Sequence, residues 1–446
     1  MRVLLTYPYK NDIYHKVGFV LPPMGIAYVA STLRDDGHEV SIRDFNVDRS
    51  YIDFSKYDVV GISMDTSRFK SGLEIAKEAK KSGSIVIAGG PHVSFRDEEA
   101  LSTGLIDFVV RGEGEHSMRD LLREIDGGNI DSVRGISYLK GTNILRTENG
   151  EFFDDLDSLL PSRDLLRMDL YRSLEMGKRK MTSVLTSRGC PFGCSFCSSS
   201  EFSGRKWRAR SPSKVVDEVE EVVNSYGFNG IAFLDDNFSL VPSRVISICD
   251  EIKRRGLDIY WWCFSRADIL LRNEDMVKKM STSGCRYIFI GFESESQSTL
   301  DGYKKGITGK MAKDVVELLR EYKISTHASF IIGGVSETKD MALNTIRFAK
   351  RLNPEAVQFS ILTPYPGTRL FEEVKDRIET FDWDLYDCLN PVLRCDYLSA
   401  KDLRALLKRA YISFYLSPNK IMAGLFSGLR GKGIRLGSIL KILRGT

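Results

Sequence analysis

Thr186-Ser-Arg-Gly-Cys-Pro-Phe-Gly-Cys-Ser-Phe-Cys197 places three cysteines, Cys190, Cys194 and Cys197, within eight residues. The spacing C-x-x-x-C-x-x-C lets one short loop present three thiolates to a single iron–sulfur cluster, and Pro191 and Gly193 keep that loop out of a helix or strand. A four-iron cluster held by three thiolates keeps one iron without a protein ligand, as catalytic metal sites do and closed structural sites do not. Half of a zinc site is the plainer alternative, but zinc takes a fourth ligand, and His116 and His327 lie far away in sequence. Eight cysteines in 446 residues is ordinary usage for a cytosolic enzyme and too thin for a disulfide scaffold.

The triplet follows an apolar run at 182–186, and further runs recur at 230–234, 260–264, 287–292, 328–332 and 357–362, with helical patterns between them. Six such β/α units make an incomplete TIM-like barrel, whose chemistry gathers at the carboxyl ends of its strands. Asp235-Asp236-Asn237 ends the second run, Arg266 follows the third, and Glu293 ends the fourth. Charges at the ends of buried strands are unusual as packing, because an unpaired desolvated ion costs on the order of several kcal/mol. Salt bridging at the barrel mouth is the alternative for any one of them. Cys249, Cys263 and Cys285 fall within helix or strand patterns and read as small buried apolar groups, and Cys388 and Cys395 are too few for a second cluster.

Before the barrel, short apolar runs at 3–7, 40–43, 59–63, 85–88 and 108–110 read as buried parallel strands, and the amphipathic stretches 25–33 and 73–80 read as crossover helices. This is a doubly wound sheet, which binds ligands beyond the carboxyl ends of its strands where the strand order reverses. The loops leaving those ends are Ser63-Met64-Asp65-Thr66-Ser67, Gly89-Gly90-Pro91-His92 and Gly112-Glu113-Gly114-Glu115. No G-x-G-x-x-G or P-loop accompanies them, and the last loop is acidic, which a phosphate would resist.

The cysteine triplet, with Phe196 before its last member, resembles the signature of the radical S-adenosylmethionine (SAM) enzymes. In the first third, Leu21-Pro-Pro-Met-Gly-Ile-Ala27, Ala88-Gly-Gly-Pro-His92 and Val110-Arg-Gly-Glu-Gly-Glu115 resemble, in order, the cobalamin-binding domain that precedes the radical SAM domain in one large subfamily. The resemblance implies three cofactors: a 4Fe-4S cluster on Cys190, Cys194 and Cys197, SAM, and cobalamin. It implies that the open iron chelates the amino and carboxylate groups of SAM and that the reduced cluster breaks SAM to a 5'-deoxyadenosyl radical. By the same resemblance, Asp235 and Asp236, with Asn237, stand near the methionyl amine, Arg266 near its carboxylate, Glu293 at the ribose or amine, and Phe196 at the cofactor. Gly333-Gly334 and Pro364-Tyr-Pro-Gly-Thr368 give turns over the adenine.

For cobalamin the implied contacts are Met64, Asp65, Thr66, Gly89, Gly90, Gly112, Glu113 and Gly114, with residues 64–68 as the floor beneath the corrin. Many cobalamin proteins carry D-x-H-x-x-G, but here Asp36-Gly-His38 runs on into Glu-Val-Ser, so the expectation is base-off cobalamin without a protein histidine on cobalt. His38 and His92 then read as satisfied loop or helix-end histidines.

The activity implied is that of a cobalamin-dependent radical SAM C-methyltransferase. Cobalamin takes a methyl group from one SAM, a second SAM yields the radical that removes hydrogen from an unactivated carbon, and the substrate radical takes the methyl group. A cobalamin-bound radical SAM cyclase or oxidoreductase is the alternative. A tRNA methylthiotransferase would carry cysteines before Cys190, and there are none. Partners expected are a small-molecule, protein or peptide substrate and an external electron donor of ferredoxin or flavodoxin type. Compact members of the subfamily that methylate a glutamine of methyl-coenzyme M reductase make a protein side chain one candidate substrate.

The expected fold class is α/β. Residues 1–130 form a Rossmann-like cobalamin-binding domain, 131–180 a linker, 181–375 a partial (β/α)6 radical SAM barrel, and 376–446 a mostly helical C-terminal region. The end of the chain carries Lys420, Arg430, Lys432, Arg435, Lys441 and Arg444 with no acid from Pro418 onward, which suits either a basic amphipathic arm or a solvated terminal helix. A net charge of +4 is small for an obligate nucleic-acid binder, so none is expected as partner. No stretch suits a signal peptide or membrane span, and the expected location is cytoplasmic.

Overall fold

The computed structural model describes residues 1–10, 19–171, 179–418 and 420. These fall into two compact units, one holding 1–10, 20–171 and 201–204 and the other 19, 179–200 and 205–418.

The first unit is built on β1 (Arg2–Tyr7), β2 (Glu39–Asp44), β3 (Val59–Ser63), β4 (Ile85–Gly89), β5 (Phe108–Val110), β6 (Ile136–Lys140) and β7 (Asn143–Arg146), in the order β2-β1-β3-β4-β5-β6-β7. β1 to β5 pair parallel, and near-continuous apolar runs such as Val59-Val60-Gly61-Ile62 are buried on both faces, as the parallel arrangement requires. Helices Met24–Asp35, Phe69–Lys81 and Gly114–Glu124 turn apolar stripes onto the sheet, with Ile26, Ala30 and Leu33 joining Leu121 and Leu122 in one core. The order reverses between β1 and β3, which sets the ligand-binding crevice at their carboxyl ends.

Residues 131–180, read as a linker, do not stay irregular throughout: β6 and β7 extend the first sheet antiparallel. The hairpin is tied down by Asp97, a buried carboxylate that accepts from Ser137 Oγ at 2.6 Å and Arg146 Nε at 2.7 Å. A hairpin with two half-exposed strands shows no continuous apolar run, which is why the pattern hid it.

The second unit contains β8 (Met181–Val184) and a two-residue antiparallel ribbon of β9 (Ser187–Arg188) with β10 (Arg208–Ala209). Then follow β11 (Gly230–Phe233), β12 (Tyr260–Ser265), β13 (Cys285–Glu293), β14 (Ser325–Ile332) and β15 (Ala356–Ile361). The six longer strands pair parallel in chain order from β8 to β15, the sheet of an incomplete barrel. Helices such as Pro212–Tyr226 and Pro242–Arg254 start on a proline, where the missing N–H costs nothing, while Thr308, Thr338 and Ser399 cap others through their hydroxyls. Cys249, Cys263 and Cys285 are fully buried apolar groups.

The last described helix, Ala400–Tyr415, covers the open edge of β15. Tyr415 Oη accepts from Val357 N at 3.1 Å and donates to Val357 O at 2.9 Å, and Tyr411 Oη does the same for Phe359 at 3.1 and 3.0 Å. Two phenols thus satisfy an edge that would otherwise present unpaired backbone groups. Among the described residues no helix is long and apolar enough to cross a membrane. The basic residues after Lys420 lie outside the described residues.

Candidate active site

At the crevice of the first sheet, the loop after β3 is knitted to the end of β1. Arg68 pairs with Asp65, donates to Pro8 O at 3.1 Å and lies over the Tyr7 ring at 4.3 Å. Burial pushes the Asp65 carboxyl up, but Arg68, Lys10 and Ser67 more than offset it, and it stays below the ordinary range. Gly90, at φ +102°, must be glycine, since a Cβ there would stand 2.8 Å from Met64 O. A Cβ at Gly112 would meet nothing within 4 Å, and Glu113 turns away to accept from Phe153 N at 2.8 Å. Gly89 and Gly114, which opens the helix Gly114–Glu124, complete this glycine-lined mouth. These glycines follow β4 and β5, next to the switch point between β1 and β3, and permit a bound group to approach the backbone closely.

Two expectations there change. The Met64 side chain is fully buried, packed where a Cβ on Gly72 would come within 2.7 Å of its Cε, so Met64 offers only its backbone. Thr66 is buried too, 3.3 Å from His92 Nδ1. His92 is a packed core group against Phe69 at 4.5 Å, with burial holding its pKa down to about 3. His38 precedes β2 and sits 3.4 Å from the Met1 amine, at the amino end of the sheet. His38 therefore stands away from the crevice, and His92, though it follows Gly90 there, is buried.

At the carboxyl ends of the second sheet, the cysteine loop leaves β9 through Gly189, at φ +89°. Ser195 N donates to Tyr303 O at 3.1 Å and Leu370 N donates to Ser195 O at 2.9 Å, which pins the loop from two sides. Arg266 lies 3.8 Å over the Phe192 ring, and Phe196 meets Tyr303 edge-on at 5.3 Å. Cys190, Cys194 and Cys197 are all free and partly exposed. Among the described residues no three Cys, His, Asp or Glu side chains converge as a single metal ion requires. Burial pushes the Cys190 thiol up to about 11, and burial, with the nearby Asp236 charge, pushes Cys197 up as well, an arrangement that a cationic cluster would reverse.

The acids at the strand ends separate into braces and open groups. Asp235 is fully buried and accepts from Thr186 N at 2.7 Å and from the hydroxyls of Thr186 and Ser187. The expectation that it meets the methionyl amine is corrected: its oxygens tie the end of β11 to the entrance of the cysteine loop. Asp236 is solvent-accessible yet deep within protein, so desolvation pushes its carboxyl up, eased by Ser199. Asn237 is buried with its Nδ2 lacking a partner, while Ser239 donates to its Oδ1 at 3.2 Å. Arg266 donates to Asp268 at 3.0 Å and to Lys305 O at 2.8 Å, so its guanidinium braces the cysteine loop.

Glu293 is the most constrained residue of the mouth. It sits at φ +63°, past a register shift in β13, and its buried carboxylate accepts from Lys305 Nζ at 2.7 Å. A Cβ on Gly291 would fall 2.1 Å from Glu293 Oε1 and 2.8 Å from Lys305 Nζ. A left-handed non-glycine residue at a bulge is the kind of strain that clusters at working sites. Lys305 is also 5.9 Å over the Phe196 ring. Burial pushes its ammonium down, but Glu293 and the Cys194 thiolate more than offset that.

Lys305, Thr186 and Ser187 escaped the sequence reading, although a buried Glu293 implied a cation somewhere. Glu337 escaped as well: its buried carboxylate holds Gly333 N and Gly334 N at 2.5 and 3.2 Å, fixing the turn after β14. Across the sheet, Trp262, Phe264, Phe289 and His327 form a row of partly buried rings 5.1, 5.1 and 4.8 Å apart.

The B12 binding domain family matches residues 11–122 and the radical SAM superfamily residues 184–349. An uncharacterised methyltransferase of Pyrococcus horikoshii is 37% identical over 96% of this chain and 95% of its own length. The anaerobic magnesium-protoporphyrin IX monomethyl ester cyclase of Rubrivivax gelatinosus is 30% identical over 94% of this chain and 78% of its own. Among solved structures, the radical SAM methyltransferase TsrM of Kitasatospora setae, with cobalamin and a [4Fe-4S] cluster bound, superposes with a TM-score of 0.70 at 20% identity, covering 92% of this chain and 82% of that one.

Proposed function

The chain belongs to the cobalamin-binding radical SAM enzymes, and from that premise we propose that it is a C-methyltransferase, which moves a methyl group of SAM onto an unactivated carbon. When bound, the 4Fe-4S cluster, SAM and cobalamin supply the electron, the radical and the methyl carrier, and the residues of this chain bind, orient and exclude water. The observation that carries the reading is the gathering of three free cysteines, Asp236, Glu293 and Lys305 at the carboxyl ends of one parallel sheet.

In this reading Cys190, Cys194 and Cys197 hold the cluster, Asp236 and the Asn237 amide face the methionyl group, and Glu293 meets the ribose or amine while Lys305 keeps it in place. Asp235 and Arg266 are positioning residues that act through the cysteine loop. Asp65, Gly89, Gly90, Gly112, Glu113 and Gly114 cradle cobalamin, with neither His38 nor His92 on its cobalt. The ring row of Trp262, Phe264, Phe289 and His327 supports an apolar substrate surface, since burial keeps His327 neutral, with its pKa down at about 4.

Resemblance to the cyclase favours a second reading, oxidative ring closure without methyl transfer. One experiment separates them. Anaerobically loaded protein is supplied with SAM carrying a labelled methyl group, candidate apolar substrates and a reductant; label in the product supports the methyltransferase, and an unlabelled, oxidised product rejects it.

A further inference from the structure

The two faces of the barrel sheet differ in what covers them. On β12, β13 and β14, Trp261, Cys263, Ile288, Ile290, Ala328 and Phe330 are fully buried, and Phe330 meets Phe348 of the helix Lys339–Leu352, so these alternate positions face the helices. The intervening Trp262, Phe264, Phe289 and His327 face the other way, into the barrel, and all four stay partly accessible. Register sets Phe264 opposite Phe289 and Phe289 opposite His327, so three rings from three strands make one layer.

Trp262, beside that layer, gives its indole N–H to Met181 Sδ at 2.9 Å. His327 differs: its ring stands 4.8 Å from Phe289, and neither of its nitrogens has a hydrogen-bond partner among the described residues. Burial holds its pKa down to about 4, so it is a neutral imidazole with one N–H to donate and one nitrogen to accept. A polar group this far from water is costly without a partner, and a ligand that supplies one recovers that cost. The next positions toward the carboxyl ends of β13 and β14 are Gly291 and Ser329, paired in register. Glu293 Oε1 reaches back over Gly291, where a Cβ would fall 2.1 Å from it. The ring layer therefore lies one pair of small residues, about 7 Å of strand, below that carboxylate.

We propose that Phe264, Phe289 and His327 select the substrate: an uncharged molecule with a flat, fused-ring body that packs against the two phenyl rings and is held by one hydroxyl or carbonyl group hydrogen-bonded to His327. The proposal rests on the methyltransferase reading, which puts the reacting carbon at the Glu293 end of the same strands. Ring-on-ring packing accepts several offsets and many ring systems, so by itself it orients a substrate poorly. A single hydrogen bond from the layer fixes which edge of the ring body points to the mouth, and rejects an analogue that lacks the polar group. An ionised group would have to shed its water beside a neutral imidazole, in a layer that Ala356 continues on β15 and that holds no charge.

The test measures binding rather than turnover. The full chain, loaded anaerobically with cluster and cobalamin and kept without reductant, is dialysed to equilibrium against 2-naphthol, naphthalene and 2-naphthoate. These probes share one ring body and carry a hydroxyl, no polar group and a carboxylate. Wild type should hold 2-naphthol about three- to tenfold more tightly than naphthalene, and 2-naphthoate least of the three. His327→Phe should keep naphthalene binding and lose the preference for 2-naphthol, and His327→Gln, which retains a neutral donor and acceptor, should restore part of it. Equal binding of 2-naphthol and naphthalene by wild type would overturn the proposal, as would tightest binding of 2-naphthoate or no measurable binding of any probe. So would a preference that survives His327→Phe, or an equal loss of all three probes in that variant, which would assign His327 to packing alone. Release of S-adenosylhomocysteine and 5'-deoxyadenosine by the same wild-type preparation with dithionite reports on the methyltransferase reading separately, so failure of either is seen apart from the other.

Discussion

Gly291 shows how tightly single residues are set at the barrel mouth. A methyl group there has no room beside Glu293 and Lys305, so Gly291→Ala is expected to cost about 1–3 kcal/mol by overpacking. It should also weaken SAM binding, which calorimetry on the loaded protein reads directly; unchanged stability and affinity would reject the constraint. Glu337 gives a pH signature. Burial pushes its carboxyl up from 4.5 to about 7, while the amides of Gly333 and Gly334 pull it back only in part. The folded chain therefore keeps a proton that the unfolded chain has released between those two values, and this group's contribution falls as pH rises through the window. Relative to wild type, Glu337→Gln should gain on the order of 3 kcal/mol in unfolding free energy across it, and parallel pH profiles would refute the assignment. At this scale the sequence was half legible. The cysteine spacing and the charges ending β11 and β13 pointed to residues that all lie at the carboxyl ends of one parallel sheet. Which carboxylate is a brace could not be read, because Asp235 is set apart from Asp236 by burial and by the amide and hydroxyls of Thr186 and Ser187, which come from a different strand end.

Among the elements, the strands of both parallel sheets were legible because most carry a short apolar run, as Val59–Ser63 and Gly230–Phe233 do, buried as a parallel arrangement requires. The β6–β7 hairpin was not, since only Ile136 and Tyr138 of its first strand enter the core while Asp97 ties down Ser137 and Arg146. Nor was the sealing of β15 by the helix Ala400–Tyr415, which depends on two hydroxyl groups meeting backbone across 52 and 58 residues of chain. Each phenol satisfies both groups of one residue. The double variant Tyr411→Phe, Tyr415→Phe leaves four buried backbone groups without those partners, and should lose about 2–5 kcal/mol of stability in urea titrations while keeping its packing. A loss under about 0.5 kcal/mol would show that the edge is satisfied another way.

The molecule as a whole holds a doubly wound unit with a glycine-lined crevice and an incomplete barrel with three free cysteines, each site lying where parallel strands end. Cys194→Ala, in the middle of the triplet, is expected to leave both sheets folded, with unchanged far-ultraviolet circular dichroism, and to lose the iron absorption. Full iron content in that variant would place the cluster elsewhere. The most direct test of the central claim is product analysis after anaerobic incubation of the loaded chain with SAM and reductant. Formation of both S-adenosylhomocysteine and 5'-deoxyadenosine, the marks of polar and radical use of the same cosubstrate, is the expected result. A protein that retains iron and cobalamin but releases neither product would contradict it.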